Sequence, residues 1–303
     1  MEPIIDPVDV NLLKEEFSRA PELTEASRGD IKVYCIDSSF PNILREVGRL
    51  REIAFRKGGA GTGLACDLEP FDTDPSFKVK QLVIWDAEDE CICGGYRFVY
   101  GYDMKVYDEG QPMIPAAHMF HFSEKFMKEE LPHTMELSRS YIVEDHQRTS
   151  SARKSIFILD CLFKGICVVA RDGKMTDVFG KVTFYQDYPK EAFSLVISFM
   201  KKHCCIDNEI SPIKPYVAPA SRNARKLFSA KEFRANFRAL TSFFIKNKLY
   251  LPPILKSYMN LTTTMRYYGA AIFEEFGGVR EIGIKIHLPD IDKERWPLYF
   301  KEV

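Results

Sequence analysis

The order of apolar and polar positions divides the chain into short elements of two kinds. Short runs rich in β-branched and aromatic side chains, bounded by polar turns, predict strands at 31–36 (IKVYCI), 79–86 (VKQLVIWD), 91–100 (CICGGYRFVY), 135–143 (MELSRSYIV) and 175–185 (MTDVFGKVTFY). The second and third are joined by DAEDE, a hairpin connection. Over 41–57, Ile43, Leu44, Val47, Leu50, Ile53 and Ala54 return at helical spacing behind Pro41, which suits a first helical turn. Helices are also predicted at 122–130, 151–170 and 189–203, and strand-like character at 254–265 and 280–287. Residues 1–30 are polar and punctuated by Pro3, Pro7 and Pro21 around a short helical pattern, so they read as an arm. The remainder, 31–303, reads as one elaborated domain. Its loose alternation of strands and helices predicts an α/β (α+β) layer structure around one mixed sheet. Within it, 211–250 opens on Pro212, Pro215 and Pro219 and reads as a basic helical insertion.

Composition narrows the function. With 303 residues, 46% hydrophobic and 28% charged, the chain is globular, and disordered or low-complexity classes are excluded. Lys+Arg 42 against Asp+Glu 43 leave no basic excess for nucleic acid, so any anionic partner must meet a local patch. Between 222 and 248, Arg222, Arg225, Lys226, Lys231, Arg234, Arg238, Lys246 and Lys248 face Glu232 alone, interleaved with Phe228, Phe233, Phe237, Phe243 and Phe244. The eight Cys include no C-x-x-C and no zinc-finger spacing to His, which predicts reduced cytosolic thiols and no metal. The N-terminal residues lack the basic start of a signal peptide, and no run approaches ~18 apolar residues. Aromatics reach 13%, mostly the 23 Phe, which either fill a core or line something greasy.

Two stretches are placed for chemistry. Gly58, Gly59, Gly61 and Gly63 follow a helix, without the Lys of a phosphate-binding Walker loop, so they read as a surface connection or a substrate-ordered lid. The junction MELSRSYIVEDHQRTSSARKS carries Glu136 and Arg139 on a strand and then opens an apolar helix. Unpaired N–H groups at such a helix start suit a phosphate, with Arg148 and Arg153 to assist, and an ordinary N-cap explains the same residues. The six His are scattered, and no Ser/His/Asp or Cys/His arrangement is legible.

ELSRSYIVEDHQRTSSARKSIFILDCLFKGI resembles strand four, bulge and following helix of the GNAT superfamily. More narrowly, the chain is similar to the branch shared by ornithine-lipid and glycine-lipid N-acyltransferases, the hemolysin-labelled proteins of Bacteroidetes, and acyl-homoserine-lactone synthases. Arg51-x-x-x-Phe55, DLEPFDTD, GGYRF, DVFGKVTF, FMKKH and LPPILKSYMNL carry the likeness over about residues 35 to 300. It implies a GNAT-like mixed sheet with helices on both faces. It also implies an enzyme that moves a long, sometimes 3-hydroxylated, acyl chain from an acyl carrier protein or CoA thioester to the α-amine of a small amino acid, glycine or ornithine, making a lyso-aminolipid. A membrane-active hemolysin and a homoserine-lactone-type synthase remain the rivals.

Position by position, the likeness assigns Arg51, Phe55, Glu69, Asp72 and Arg97 to substrate binding, and Glu136 and Arg139 to catalysis. Glu136 is the candidate general base, and a backbone N–H near Ile142 or Val143 the thioester-oxygen donor. Arg97 and Arg139 pair with Asp72 and Glu69, either to organise the acceptor site, to grip a carboxylate, or as architecture. Gln147, Arg148, Ser150, Ser151, Ala152 and Arg153 are assigned to the donor's phosphopantetheine arm. They lack the glycines usual there, which favours a carrier-protein thioester, and no tightly bound cofactor is implied. Thr262–Thr264 replace the Leu-Gly-Ala of ornithine-lipid enzymes after Leu261, so the acceptor does not transfer. The stretch 222–248 is then a helix covering the acyl tunnel, a dock for acidic carrier protein, or a peripheral contact with an anionic inner membrane.

Overall fold

The structure is a computed structural model that describes residues 1–143, 152–292 and Glu294, with side chains from Phe157 onward in the second segment. Helices in chain order are α1 (Val10–Arg19), α2 (Pro41–Lys57), α3 (Pro70–Thr73), α4 (Ala152–Asp172), α5 (Lys190–His203), α6 (Ala224–Leu227), α7 (Phe233–Lys246) and α8 (Pro253–Leu261). The strands are β1 (Ile31–Ile36), β2 (Lys80–Asp86), β3 (Cys91–Tyr100), β4 (Phe120–Phe122), β5 (Thr134–Ile142), β6 (Asp177–Phe184), β7 (Ile210–Pro212), β8 (Arg266–Phe273) and β9 (Val279–His287). Seven form one sheet in the order β1-β2-β3-β5-β6-β9-β8, while β4 pairs with β7. Among the described strands of the large sheet, only β5 and β6 pair in parallel, so it is mixed, as the patterning predicted.

Both faces of the central strands are covered, which is why they read as unbroken apolar runs. Leu82, Ile84, Phe98 and Leu137 enter one core with α4, α5, α7 and α8. Val83, Trp85, Val99 and Tyr141 enter the other with α1 and α2. Helix α2 buries Ile43, Leu44, Val47, Leu50 and Phe55 along one stripe, and Arg51 lies on that stripe with no exposure at all. A charge there is tolerable only with partners. The first turn of α2 has no side-chain cap of its own; Glu16 of α1 accepts from Ile43 N at 2.9 Å and Asn42 N at 3.2 Å. Segment 1–30 is thus fastened to the domain, with the Phe17 ring 4.6 Å from Trp85.

The glycine-rich connection after α2 is tied down. Buried Glu52 accepts from Thr62 N and Gly63 N at 3.0 and 2.8 Å, and Gly61 has φ +101°, open to glycine alone at little cost.

Two predicted elements differ, and one strand was not predicted. Segment 254–265 is mostly helix α8, with Pro253 in its first turn and Leu255, Tyr258 and Met259 buried at i, i+3, i+4 spacing, a periodicity that its short apolar run conceals. Residues 266–273 form β8, which the patterning did not predict. Residues 122–130 hold the end of β4 and one wide turn of π-helix at Phe126–Glu130. In 222–248 the aromatics go inward and the cations outward: Phe228, Phe233 and Phe237 are buried against Phe199 and Phe244 joins the same core, while Arg222, Arg225, Lys226, Lys231, Arg238, Lys246 and Lys248 are exposed.

Candidate active site

The site begins where β5 and β6 separate. Their ladder runs from Thr134↔Asp177 only to Leu137↔Gly180, yet β5 continues to Ile142 and β6 to Phe184. Each strand is held by its outer neighbour, β5 by β3 and β6 by β9, so beyond the last pair they diverge and leave a wedge. A cavity of about 550 Å³ opens into it. Leu137 through Ile142 line one side and Lys181, Thr183 and Tyr185 the other, with Glu281 of β9, Ala54 and Phe55 of α2, Leu159 of α4 and Pro252–Pro253–Ile254 at the start of α8.

A bulge shapes the β5 side. Gly95 pairs with Tyr141 and Arg97 with Ser138, so Arg139 and Ser140 together oppose Tyr96. Arg139 sits at φ +54°, a left-handed conformation that costs a long side chain about 1–3 kcal/mol. Its partners hold it there: Asp67 at 3.1 Å, Glu69 at 3.1 Å, and the face of Phe276, whose centroid lies 4.6 Å from the guanidinium.

The polar wall is an ion-pair network of three guanidiniums and three carboxylates. Arg51 grips Asp72 with both terminal nitrogens, at 3.0 and 3.1 Å, and reaches Asp67 through Nε at 3.0 Å. Arg97 donates to Glu69 at 2.7 Å, Asp72 at 3.3 Å and, through Nε, Ser138 Oγ at 3.0 Å. Gln81 donates to Asp72 at 2.8 Å. Burial alone pushes the Asp72 carboxyl up, but Arg51 and Arg97 overcome it and hold Asp72 well below the usual carboxylate range.

Glu136 is buried and behaves oppositely. Burial pushes its carboxyl above the ordinary value, against the pull of Arg97 and Lys181. Glu136 is not part of the cavity lining; Ser138 is, and its hydroxyl donates to Glu136 Oε2 at 3.1 Å while accepting from Arg97. Glu136 Oε1 and Arg97 Nη2 are buried without a hydrogen-bond partner among the described residues.

The structure therefore brings Arg51, Phe55, Glu69, Asp72, Arg97, Glu136 and Arg139 together around the wedge. Ile142 lines it, Val143 N donates to Cys93 O at 2.9 Å, and the bulge lies three residues earlier. Gln147, Arg148, Ser150 and Ser151 lie outside the described residues, as do the side chains of Ala152 and Arg153. Sequence reasoning misses Asp67, although it stands in the acidic stretch DLEPFDTD, and it misses Ser138, Lys181, Phe276 and Glu281. Phe276 lies on the connection from β8 to β9 and Glu281 on β9, beyond any local motif. Of the described Phe, Phe55 and Phe276 alone line the cavity, and most others fill the cores.

A mixed sheet that splits beside a bulged strand is the construction of a GNAT acyltransferase. The family model described as "Acetyltransferase (GNAT) domain" matches residues 50–155, from Arg51's helix past the bulge, and the protein is an acyltransferase. A glycine N(alpha)-acyltransferase of Bacteroides thetaiotaomicron is 38% identical over 305 residues, covering 97% of this chain and 88% of that one. Another, of Phocaeicola vulgatus, is 36% identical over 299 residues, covering 97% and 91%. The chain belongs to the N-acyltransferase family that these proteins represent. Among solved structures, the acyl-homoserine-lactone synthase LasI aligns with TM-score 0.44 at 12% identity, covering 90% of this chain and 95% of that one. FeeM, an N-acyl amino acid synthase from uncultured soil microbes, aligns with TM-score 0.44 at 7% identity, covering 86% and 92%.

Proposed function

We propose that this enzyme transfers a long acyl chain, with or without a 3-hydroxyl, from an acyl carrier protein or CoA thioester to the α-amine of glycine, producing a lyso-aminolipid. The observation that carries this reading is the mixed lining of the wedge: Arg97, Ser138, Lys181, Thr183 and Glu281 give it polarity for an amino acid, while Leu137, Ile142, Leu159 and Ile254 give it apolar surface for an acyl chain. The names of the two curated relatives favour glycine over ornithine.

In this account the thioester carbonyl lies against the bulge, where a backbone N–H near Ser140, rather than at Val143, stabilises the oxyanion. The amine nitrogen attacks the carbonyl carbon, the C–N bond forms, and the C–S bond breaks as the thiolate leaves on its carrier. The amine's proton passes to the Ser138 hydroxyl as Ser138 passes its own to Glu136. Arg97, fixed by Glu69 and Asp72, holds Ser138 in line. Positioning supplies much of the acceleration, so no covalent enzyme intermediate is needed. The donor acts as cosubstrate rather than resident cofactor. Work in the cytoplasm fits the reading, with the exposed cations of 222–248 meeting an acidic carrier protein or the anionic inner membrane. None of the described helices is long and apolar enough to cross a membrane.

The test supplies purified protein with long-chain acyl carrier thioester or acyl-CoA and, in turn, glycine, ornithine and S-adenosylmethionine. Thiol release and product mass are both recorded. We expect N-acylglycine with equimolar thiol. Turnover with S-adenosylmethionine alone would assign the lactone-type reaction, and red-cell lysis without turnover on any amine would assign the hemolysin reading.

A further inference from the structure

The three guanidiniums of the polar wall are balanced by Asp67, Glu69 and Asp72, so the network forms a rigid, nearly neutral scaffold. A second charged group faces the same cavity from the opposite strand. Lys181 of β6 and Glu281 of β9 form a 2.8 Å ion pair, with side chains 8% and 5% exposed, and both line the cavity. Thr183 Oγ1 donates to the other Glu281 oxygen at 2.9 Å, which fixes that carboxylate, and the ammonium lies 4.7 Å from the centroid of Phe273.

The place of Lys181 in the sheet gives this pair its meaning. Leu137↔Gly180 is the last pair of the parallel ladder, so Ser138 and Lys181 are the first residues beyond it, one on each side of the wedge apex. From the Ser138 side comes Arg97 Nη2, a buried donor without a hydrogen-bond partner among the described residues. From the other comes a lysine whose three N–H groups exceed what one carboxylate uses. Two cationic side chains thus line the same cavity, one from the Ser138 side and one from β6, and both act on the Glu136 carboxyl. A carboxylate satisfies them; an apolar group there leaves buried charge uncompensated. The ammonium end of the same ligand then offsets the negative charge that a third carboxylate brings near Glu136 and Glu281.

We propose that Lys181, held by Glu281 and Thr183, is the anchor for the acceptor's α-carboxylate, which sits between Lys181 Nζ and Arg97 Nη2. The inference rests on the amino-acid acyltransferase reading and adds a subsite to it. Lys181 selects amino acids over simple amines and leaves the amine free to face Ser138. Glu281 is a positioning residue that keeps the ammonium at the apex.

The experiment compares glycine with glycinamide, which keeps the amine and loses the carboxylate charge, in wild type, Lys181→Met, Lys181→Arg and Lys181→Met/Glu281→Gln. The double variant avoids stranding a buried carboxylate, and circular dichroism with thermal melting monitors its fold. A charged hydrogen bond at this point makes glycine roughly 10- to 100-fold better than glycinamide in kcat/KM for wild type. We expect Lys181→Met and the double variant to lose that preference, chiefly through a KM that rises more for glycine than for glycinamide, so that the ratio of their kcat/KM values falls toward one, and Lys181→Arg to restore part of it. A folded double variant that keeps the wild-type preference overturns the anchor while leaving the acyltransferase reading intact. Failure of wild type to acylate any amino acid overturns both.

Discussion

The polar wall and the 222–248 segment both concentrate positive charge, and they treat it in opposite ways. In the wall, Arg51 and Arg97 are buried and each is matched by carboxylates within 3.3 Å. In 222–248 most cations face water, and the segment's hold on the domain comes from Phe228, Phe233, Phe237 and Phe244. The difference teaches where charge can be changed freely. A buried, balanced network fails as a unit, because removing one partner strands another; a solvated cation is individually dispensable to the fold and free to serve a partner.

The largest break in this contrast is Arg51→Met. It leaves Asp67 and Asp72 without their shared guanidinium, and we expect a loss of about 3–5 kcal/mol in urea unfolding together with collapse of activity. Retention of wild-type stability would show that the network is not a structural unit.

Removal of the proton path at Ser138 gives the next effect. Ser138→Ala keeps Glu136 in place but cuts its link to the cavity, and we expect kcat to fall by ~10- to 100-fold with a nearly unchanged KM for the donor, since one positioned proton-transfer group is worth at most ~10²–10⁴. An unchanged kcat would exclude the relay.

Acid titration separates the two kinds of buried carboxylate. Burial raises the Asp72 carboxyl but the flanking guanidiniums win, so its native pKa is depressed. Its ionised form therefore stabilises the fold above the unfolded value of about 3.9, and that contribution is lost as pH falls toward the native pKa. Glu136 has the opposite sign: its raised native pKa makes the charged form a burden at neutral pH, relieved on acidification. Below pH ~4 we expect wild type to lose stability more steeply than Asp72→Asn, which has already forfeited that term; parallel curves would contradict the assignment.

The smallest effect on stability belongs to Lys246→Glu/Lys248→Glu. These exposed cations should change unfolding free energy by no more than about 0.5 kcal/mol. Their loss should instead raise the KM for an acyl carrier thioester at low salt and weaken its salt dependence, whereas an unaltered KM would remove this surface from donor recognition.

Much of the fold and site is legible in the amino-acid sequence wherever the signal is local. The run 135–143 carries its period in nine residues, and Pro41 with the stripe from Ile43 to Ala54 fixes α2. Arg51, Arg97, Glu136 and Arg139 stand out through a family resemblance, since isolated charges in apolar patterns have no period of their own. Asp67 escapes notice because nothing in DLEPFDTD tells which acid turns inward. Lys181 and Glu281 are invisible for a different reason. Their ion pair depends on β9 lying beside β6, a contact across about a hundred residues of chain that sequence alone does not encode. The α8 segment misleads because tertiary burial of Leu255, Tyr258 and Met259, rather than local propensity, makes it helical.

The most direct test measures thiol release with glycine and a long-chain acyl carrier thioester for wild type and Glu136→Gln, at matched fold by circular dichroism. We expect one thiol released per N-acylglycine formed by wild type, and a rate lower by ~10²–10⁴ in the folded variant. Full activity in Glu136→Gln, or no thiol release from wild type with any amino acid, would contradict the account.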